Sequence, residues 1–296
     1  MANPHGGHPR EHGKYHALLL VAGALGLLVV GALVGGAVLL SGTVSTAATK
    51  QHFLVTHRLL DVGMHFSVRQ SASDIEAPPL DDPALIERGL GCYDRHCAQC
   101  HGAPGVAPGP AARGMLPVPS NLAQSAREWP PAWVYYVTRK GVRMTGMPAW
   151  EYRLSEADLW ATVAFVQTMS SVAPAAYATR AARAPACAQR QDLPSTDDEP
   201  GPTLLRQYAC HSCHVIEGVV GPDSQFGPPL RDWPRRAYIA GGLPNTPANL
   251  ERWIRDPQAV VPGSTMPDLD VPPEHARAMA QYLFRQAPMA APEDAL

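Results

Sequence analysis

One five-residue pattern occurs twice in the chain, over residues 97–101 (CAQCH) and again over residues 210–214 (CHSCH). Both have the form C-x-x-C-H, the attachment signature for c-type haem, in which two thiols bond to the porphyrin and the histidine ligates the iron. Paired cysteines at this spacing also occur in structural zinc sites and in redox disulfides. Neither of these alternatives requires a histidine in the fifth position. The repeated pattern therefore predicts two covalently bound haem c groups, each with its iron.

Each motif is followed, at about a domain's length, by a Met-Pro pair that can close the far side of a haem iron. Methionine is a common second axial ligand in electron-transfer haem proteins, where its neutral thioether raises the potential. In the second domain this residue is Met266, whereas Met279 falls on a predicted helix and is expected in the core. In the first domain the candidates are Met147, Met144 and Met115. Met147 is preferred because the proline after it fixes the backbone.

The predicted haem-binding residues are Cys97, Cys100, His101, Met147, Cys210, Cys213, His214 and Met266. Iron is expected to take the two histidines and the two methionines of this set as axial ligands. With both axial positions filled, neither iron offers a site to a substrate, so no catalytic residue is predicted. A carbonyl should accept the other ring N–H of each histidine. Pro228 is the expected acceptor for His214, with Leu230 covering the haem, and a residue of 119–122 is expected for His101.

Two further cysteines, Cys92 and Cys187, lie outside the motifs. Haem attachment of this type takes place on the outer side of a bacterial membrane, where disulfides persist. A bridge between the two is one interpretation. The other is a buried, small apolar Cys92 on a helix face and a free Cys187 thiol in a linker, and the sequence favours neither.

A run of 24 residues from Ala17 to Leu40 carries no charged side chain. A helix of that length spans about 36 Å, more than the ~30 Å hydrocarbon core of a bilayer. A cleaved signal peptide would have an apolar core of only ~7–15 residues, although small residues at 45–48 could serve a signal peptidase. An uncleaved single-pass anchor is therefore preferred. It would leave the N-terminus in the cytoplasm and the haem motifs in the periplasm. A G-x-x-x-G at 31–35 fits packing against other membrane subunits and equally fits ordinary glycine use.

The fold class predicted is all-α, with one transmembrane helix followed by two small helical domains. Val62, Met64, Phe66 and Val68 alternate, which predicts an extended stretch between the anchor and the first domain. The predicted segments are a cytoplasmic tail 1–16, anchor 17–42, connecting segment 43–80, first domain 81–172, linker 173–200, second domain 201–288 and tail 289–296.

Gly89 and Tyr93 ahead of Cys97, the two C-x-x-C-H motifs and the Met-Pro pairs make the chain resemble the class I cytochrome c family twice over. The resemblance covers about 81–172 and 201–288. It implies two helical bundles whose first and last helices cross over the haem. Residues 240–254 and 262–267 make the second domain similar to the cytochrome c domain fused to subunit II of some haem–copper oxidases. Two departures are Leu205, where the family usually has an aromatic, and the lack of a copper-site segment in the residues before this domain.

The resemblance implies a membrane-anchored dihaem cytochrome that transfers electrons in a respiratory chain, as a subunit or donor of a haem–copper terminal oxidase. The alternative is an electron-accepting subunit of a membrane-bound periplasmic dehydrogenase, and the sequence does not set the direction of electron flow. A dihaem peroxidase would need one open iron, which two Met-Pro ligands disfavour. The expected partners are membrane oxidase or dehydrogenase subunits, other redox proteins and, through the anchor, lipid of the bacterial inner membrane. A net charge of −2 argues against nucleic acid.

Overall fold

A computed structural model of the chain describes residues 9–51, 53–187, 190, 199–222 and 226–286. The predicted tail 289–296, the first eight residues of the predicted tail 1–16 and most of 188–198 lie outside the described residues. The chain divides into two compact units, one ending at Phe53 and the other beginning at Leu54. Each unit is described by itself.

The first unit consists mainly of helix α1, Pro9–Leu40. Its stretch Leu18–Leu40 has a mean hydropathy of 2.6 and is exposed along its length. By length and composition this stretch could cross a membrane, and a signal sequence near an N-terminus would meet the same criteria. The helix is therefore a candidate membrane span.

The second unit begins with α2, Leu54–Ser71, where the sequence predicted an extended stretch. That prediction was wrong. Met64 and Val68, taken there as alternate positions of a strand, are four residues apart and lie on the same face of a helix. Val68 is buried, and the ring of His65 makes an edge contact with Trp129 at 5.2 Å. Packing of this one face against the helices that follow makes a helix the stable choice, since a lone strand leaves its backbone unpaired.

The first helical group runs from Pro83 to Thr168. Its helices are α3 (Pro83–His96), α4 (Ala98–His101), α5 (Leu122–Glu128), α6 (Pro131–Lys140) and α7 (Glu156–Thr168), and α8 (Pro174–Ala181) follows the group in the chain. Two predicted helix starts are confirmed. The Asp82 side chain accepts from the Ala84 N–H at 2.9 Å, and Ser155 Oγ accepts from the Asp158 N–H at 3.1 Å. These side chains satisfy backbone donors that a helix start leaves free.

The second helical group runs from Pro200 to Arg285. Its elements are α9 (Pro200–Gln207), β1 (Tyr238–Ile239), β2 (Leu243–Pro244), α10 (Pro247–Arg255), α11 (Pro257–Val260) and α12 (Pro273–Arg285). The two short strands pair antiparallel. Thr246 Oγ1 caps α10 by accepting from the Asn249 N–H at 3.2 Å. Met279 is fully buried, which confirms its expected place in the core.

In both groups the first helix crosses the last at a glycine. In the first group a Cβ added to Gly89 of α3 would lie 1.8 Å from the Ala161 carbonyl oxygen of α7. In the second, a Cβ on Gly201 of α9 would lie 2.4 Å from the Tyr282 Cβ of α12. The two helix pairs therefore approach closely because neither glycine has a side chain. The crossing of first and last helices, expected from the resemblance, is present in both groups.

The segment predicted as a linker, 173–200, is partly folded onto the first helical group. It contains α8, whose Tyr177 is fully buried and donates through its hydroxyl to Asp94 at 2.6 Å. Arg180 forms an ion pair with Glu87 at 2.8 Å. An Ala- and Pro-rich composition favours a linker, but one buried aromatic with a polar tip gives this stretch a packed position.

Cys92 and Cys187 form a disulfide, which resolves the two interpretations that the sequence left open. The bond joins α3 to the segment after α8 across a sequence separation of 95 residues. Cys92 has no exposed surface and Cys187 is 7% exposed. The disulfide therefore fastens the end of the packed linker segment to the first helical group.

The two helical groups also pack against each other. Ala149 and Tyr152, which belong to the first group, are buried in the same apolar cluster as Leu204 and Leu205 of α9. Arg153 donates to the Gln207 carbonyl oxygen at 3.1 Å. Apolar burial and a charge-assisted hydrogen bond together hold the two groups in one unit.

Candidate haem-binding sites

The first C-x-x-C-H motif turns directly out of α3. The His101 N–H donates to the Cys97 carbonyl at 2.9 Å, so the motif closes into one tight turn. Cys97 is buried, Cys100 is partly buried, and both are free thiols. Burial raises the pKa of the Cys97 thiol to about 12. The turn brings two thiols and an imidazole together, as attachment to the edge of one porphyrin requires.

The ring of His101 is oriented by a backbone carbonyl. Its Nδ1 lies 2.8 Å from the carbonyl oxygen of Ser120, within the stretch 119–122 where the acceptor was predicted. Burial lowers the pKa of His101, so the ring is neutral near pH 7. A neutral ring donating from Nδ1 leaves the Nε2 lone pair free, which is the arrangement a metal-bound histidine needs.

The three methionine candidates of the first group are placed differently in and around the loop 142–147. Met144 is 90% exposed, at φ 61°, whereas Met147 is partly buried and packs against the core. The Met147 N–H donates to Thr145 Oγ1 at 3.0 Å, and its carbonyl accepts from the Val142 N–H at 3.2 Å. Met115 lies with its sulphur against Gly146. These bonds hold the loop with Met147 facing inward and Met144 facing solvent, which supports the choice of Met147 as the candidate axial ligand.

The second motif has the same local plan. The His214 N–H donates to the Cys210 carbonyl at 3.0 Å, and both cysteines of the motif are free thiols. His214 Nδ1 lies 2.8 Å from the Pro228 carbonyl oxygen, as predicted. A Cβ on Gly227 would lie 2.4 Å from Cε1 of the same ring, so the backbone at Gly227 sits flat against the imidazole.

Leu230, predicted to cover the haem, is 8% exposed. Its N–H donates to the Val215 carbonyl at 2.8 Å, which ties the segment carrying Leu230 to the residue after His214. The carbonyl that orients the ring and the side chain predicted to cover the haem are therefore held by one short segment.

The loop carrying Met266 is held by Gln258 of α11. The Gln258 side-chain amide donates to the Ser264 and Met266 carbonyls, at 2.8 and 2.9 Å. The Gly263 N–H donates to the other side-chain atom of Gln258, Oε1, at 3.2 Å. Sequence reasoning missed Gln258, since nothing in the pattern of a lone glutamine eight residues before a methionine indicates this contact.

The backbone after each motif folds back in the same register. Ala103 pairs with Val106 in an antiparallel bridge, and Ile216 pairs with Val219 in another. In both motifs the paired residues stand two and five positions after the histidine. This shared register is independent of the motif letters and supports a structural duplication of the site.

A tyrosine hydroxyl donates to a backbone carbonyl of the loop that follows each motif. In the first group Tyr93 of α3, which has no exposed surface, donates to the Gly102 carbonyl at 2.6 Å. Burial raises the pKa of Tyr93, so the phenol remains a donor. In the second group the donor is Tyr282 of α12, which reaches the Glu217 carbonyl at 2.6 Å. Sequence reasoning singled out Tyr93 and missed Tyr282, because Tyr282 lies far along the chain from its loop.

The donor sets at the two motifs fit covalent haem better than the other two readings of C-x-x-C. A redox disulfide needs only the two motif cysteines and gives no role to the histidine ring that a backbone carbonyl orients beside them at both sites. Within the described part of the chain, three metal-capable side chains come within 4.8 Å of one another at Cys92, Asp158 and Cys187, and two of these share the disulfide. Among the described residues neither motif belongs to such a group, whereas a structural zinc site brings four ligands together.

Comparison with known proteins agrees with this chemistry. Residues 84–166 match the family model described as cytochrome c oxidase, cbb3-type, subunit III. Over 84 residues, 28% of this chain, there is 36% identity to cytochrome c oxidase subunit 2 of Alkalihalophilus pseudofirmus, covering 24% of that protein. Over 80 residues, 26% of this chain, there is 32% identity to cytochrome c oxidase subunit 2 of Bacillus sp. PS3, covering 22% of that protein. The chain thus spans about a quarter of the length of these curated relatives.

Among solved structures, the chain is similar to one from the Kuenenia stuttgartiensis reducing HAO-like protein complex Kustc0457/Kustc0458. The identity is 23% over 71% of this chain and 98% of that chain, and the TM-score is 0.28. A TM-score this low supports no argument about this protein. The motif geometry and the family match together show that the chain contains a cytochrome c domain over residues 84–166, a class that implies covalently bound haem c.

Proposed function

We propose that this protein is a membrane-anchored dihaem c-type cytochrome that transfers electrons in a respiratory chain. The observation that carries the proposal is the second motif. Its free thiols, its ring-orienting carbonyl and its backbone bridge repeat those of the first, which lies in the cytochrome c domain. Haem supplies one-electron redox chemistry when bound, and Cys97, Cys100, His101, Met147, Cys210, Cys213, His214 and Met266 would hold the two groups.

The contact between the two helical groups supports a role in transfer from one site to the other. Arg153 contacts the Ala149 carbonyl at 3.5 Å and donates to the Gln207 carbonyl at 3.1 Å. Ala149 stands two residues after Met147, and Gln207 stands three before Cys210. One side chain therefore joins the segment beside one candidate axial ligand to the segment that leads into the other motif. This contact supports a defined arrangement of the two sites.

The candidate span Leu18–Leu40 supports anchoring in a bacterial inner membrane with both motifs in the periplasm. The disulfide supports the same compartment, since such bonds persist outside the cytoplasm. The partner we propose is a haem–copper terminal oxidase, because the sequence is similar to oxidase subunits over part of its length. An electron-accepting role beside a membrane-bound dehydrogenase is the alternative, and a dihaem peroxidase is disfavoured by the two candidate methionine ligands, Met147 and Met266.

The number of haems is tested by replacing the motif cysteines in pairs. Cys97→Ala with Cys100→Ala, and Cys210→Ala with Cys213→Ala, should each leave one covalent haem, measured by mass spectrometry and a haem-stained gel. The quadruple variant should leave none. Two haems on either double variant, or one on the wild type, would contradict the dihaem proposal.

The axial ligands are tested by the sulphur-to-iron absorption band. Met147→Ala and Met266→Ala should each remove about half of this band, while Met144→Ala, at the exposed position, should leave it intact. A band that survives Met147→Ala and is lost in Met144→Ala would reverse the assignment. If one haem of the wild-type protein lacked this band, the peroxidase alternative would be favoured, because the iron of that haem would have an open position.

The partner is tested by purification in mild detergent followed by mass spectrometry of the proteins that accompany the chain. Recovery of oxidase subunits supports the proposal, and recovery of dehydrogenase subunits supports the alternative. A chain that is purified alone, red and with two haems would be a tethered carrier that meets its partners transiently.

A further inference from the structure

Helix α2 presents an apolar stripe that no described residue of its own unit covers. The stripe consists of Val55, Leu59, Val62 and Phe66, spaced four, three and four residues apart, so that all four lie on one face. Their exposed fractions are 69, 68, 52 and 66%. Four large apolar side chains in one row are unusual on a surface that faces water throughout.

The opposite side of the same helix is already in use. Val68 and Ala72 are buried against the first helical group, and His65 contacts Trp129. At 100° per residue the centre of the stripe lies well over 90° from Val68. The helix therefore has two distinct apolar faces, of which one holds it to the protein and the other faces outward.

The chemistry beside the stripe indicates what the outward face meets. Arg58 stands three residues after Val55, and Arg69 stands three after Phe66, so both arginines border the stripe on the same side. Both are exposed. A row of apolar side chains bordered by arginines is typical of a helix lying in a membrane interface, where guanidinium groups reach the lipid phosphates.

The covalent chain limits how far α2 can be from a bilayer. Thirteen residues separate Leu40, the end of the candidate span, from Leu54, the start of α2. Fully extended, they reach at most about 45 Å. A helix tethered this closely to a membrane meets lipid at a high effective concentration, which favours lipid over a soluble partner.

We propose that the outer stripe of α2 binds the lipid surface, with Val55, Leu59, Val62 and Phe66 in the headgroup–acyl boundary and Arg58 and Arg69 on lipid phosphates. This inference rests on the proposed membrane anchoring. It goes beyond that anchoring in assigning a second membrane contact to the unit that carries the haem motifs. The contact would hold this unit against the bilayer and restrict its orientation.

The test separates the stripe from the anchor. The full chain, with a protease recognition sequence inserted between residues 43 and 51, is reconstituted into phosphatidylcholine vesicles containing phosphatidylglycerol. Resistance of the uncleaved chain to alkaline carbonate reads out the anchor alone. After cleavage, the fragment that begins before α2 is sedimented with the vesicles, and its bound and free fractions are measured.

The wild-type fragment should stay with the vesicles after cleavage. Leu59→Glu with Phe66→Glu should lower the ratio of bound to free fragment more than about tenfold, because two apolar side chains leave the lipid and two like charges approach its phosphates. The matched control, Thr56→Glu with Ser67→Glu, adds the same charge at exposed polar positions and should stay bound. Unchanged circular dichroism and haem content show that each variant is folded.

Release of the wild-type fragment into the supernatant would overturn the proposal, as would equal binding of the stripe variant and the control. Retention on native membranes together with release from protein-free vesicles would also overturn it, since a protein would then cover the stripe. Extraction of the uncleaved chain by alkaline carbonate would instead overturn the anchoring. The cleaved fragment does not measure that anchoring.

Discussion

The two helical groups perform the same local task with different residues. In both, the first and last helices cross at a glycine, and a tyrosine hydroxyl ties down the loop behind the C-x-x-C-H motif. In the first group that tyrosine, Tyr93, stands four residues after the crossing glycine on the first helix. In the second group the corresponding position is Leu205, and the tyrosine, Tyr282, stands on the last helix.

The last helices of the two groups also carry different aromatic residues at the helix crossing. Phe165 of α7 packs against the site of Gly89, as Tyr282 of α12 packs against the site of Gly201. The first group thus has a tyrosine on the first helix and a phenylalanine on the last, and the second has a leucine and a tyrosine. The second group has no aromatic residue at Leu205, and its loop is bonded by a hydroxyl from the other crossing helix. The two acceptors differ in position, since Gly102 directly follows His101 and Glu217 stands three residues after His214.

The groups also differ in how they are closed. The first is fastened by the buried Cys92–Cys187 disulfide. The second group has no cysteine outside its motif, and among its described contacts Arg285 pairs with Glu199 at 2.9 Å, with side chains 57 and 50% exposed. An exposed ion pair contributes only about 0–1 kcal/mol. The first group should therefore be the more strongly constrained of the two.

The largest effect is expected from filling the helix crossings. Gly89→Ala places a Cβ 1.8 Å from a backbone oxygen, and Gly201→Ala places one 2.4 Å from another Cβ. Each should destabilise its own helical group by more than about 4 kcal/mol, with loss of haem from that group. Gly114→Ala, which meets nothing within 4 Å, is the control. Hydrogen exchange of peptides from α3 and α9 measures the two groups separately. An equal loss of amide protection in both groups after Gly89→Ala would mean that they do not unfold independently.

Removing the disulfide should have the next largest effect. Cys92→Ala with Cys187→Ala should lower the free energy of unfolding of the first group by about 2–5 kcal/mol, because the unfolded chain gains freedom over a long loop. The second group should change little. Denaturant unfolding followed by hydrogen exchange measures both. Equal destabilisation of the two groups would mean that the bond acts through their interface.

The different positions of the two tyrosines predict that the same Tyr→Phe substitution lowers the free energy of unfolding by unequal amounts. Tyr93→Phe should cost about 1–3 kcal/mol, because it leaves a buried carbonyl without its donor. Tyr282→Phe, at a partly exposed position, should cost about 0.5–1.5 kcal/mol, since water can replace the hydroxyl. Equilibrium unfolding of each variant supplies the comparison. If Tyr282→Phe proved the costlier change, solvent would have to be excluded from the Glu217 carbonyl.

The smallest effect concerns the contact between the groups. Arg153→Ala should cost about 1 kcal/mol and should separate the unfolding of the two groups, because it removes the bond to the Gln207 carbonyl. Arg206→Ala, whose guanidinium bonds Thr203 within its own helix, is the control. Differential scanning calorimetry should show two transitions, which lie further apart in Arg153→Ala than in the wild type. An unchanged separation would place the coupling in the packing of Ala149 and Tyr152.

The parts that could be predicted from the sequence are those set by local chemistry. The helix starts at Asp82 and Ser155 and the carbonyl of Pro228 opposite His214 are short-range features, and all three are confirmed. The haem ligation itself remains a prediction, because it depends on a group that is absent from the protein chain.

The parts that could not be predicted depend on contacts between distant residues. Gln258 and Tyr282 act on loops that they meet only after folding, so their sequence neighbours carry no signal of it. The pairing of Cys92 with Cys187 is of the same kind. The prediction of an extended stretch at α2 was wrong for another reason. A short alternating run of apolar residues fits a strand and a helix alike, and the buried position of Val68 decides between them.

The disulfide has a consequence for the assembly of this chain. For the proposed dihaem protein, four of the six cysteines must remain reduced until haem is attached, and the other two must be oxidised. In the unfolded polypeptide, Cys97 meets Cys100 far more often than Cys92 meets its partner 95 residues away. An oxidant acting early therefore produces the unproductive bond first. Maturation of this protein requires that haem attachment precede oxidation, or that thiol–disulfide exchange undo the early bond.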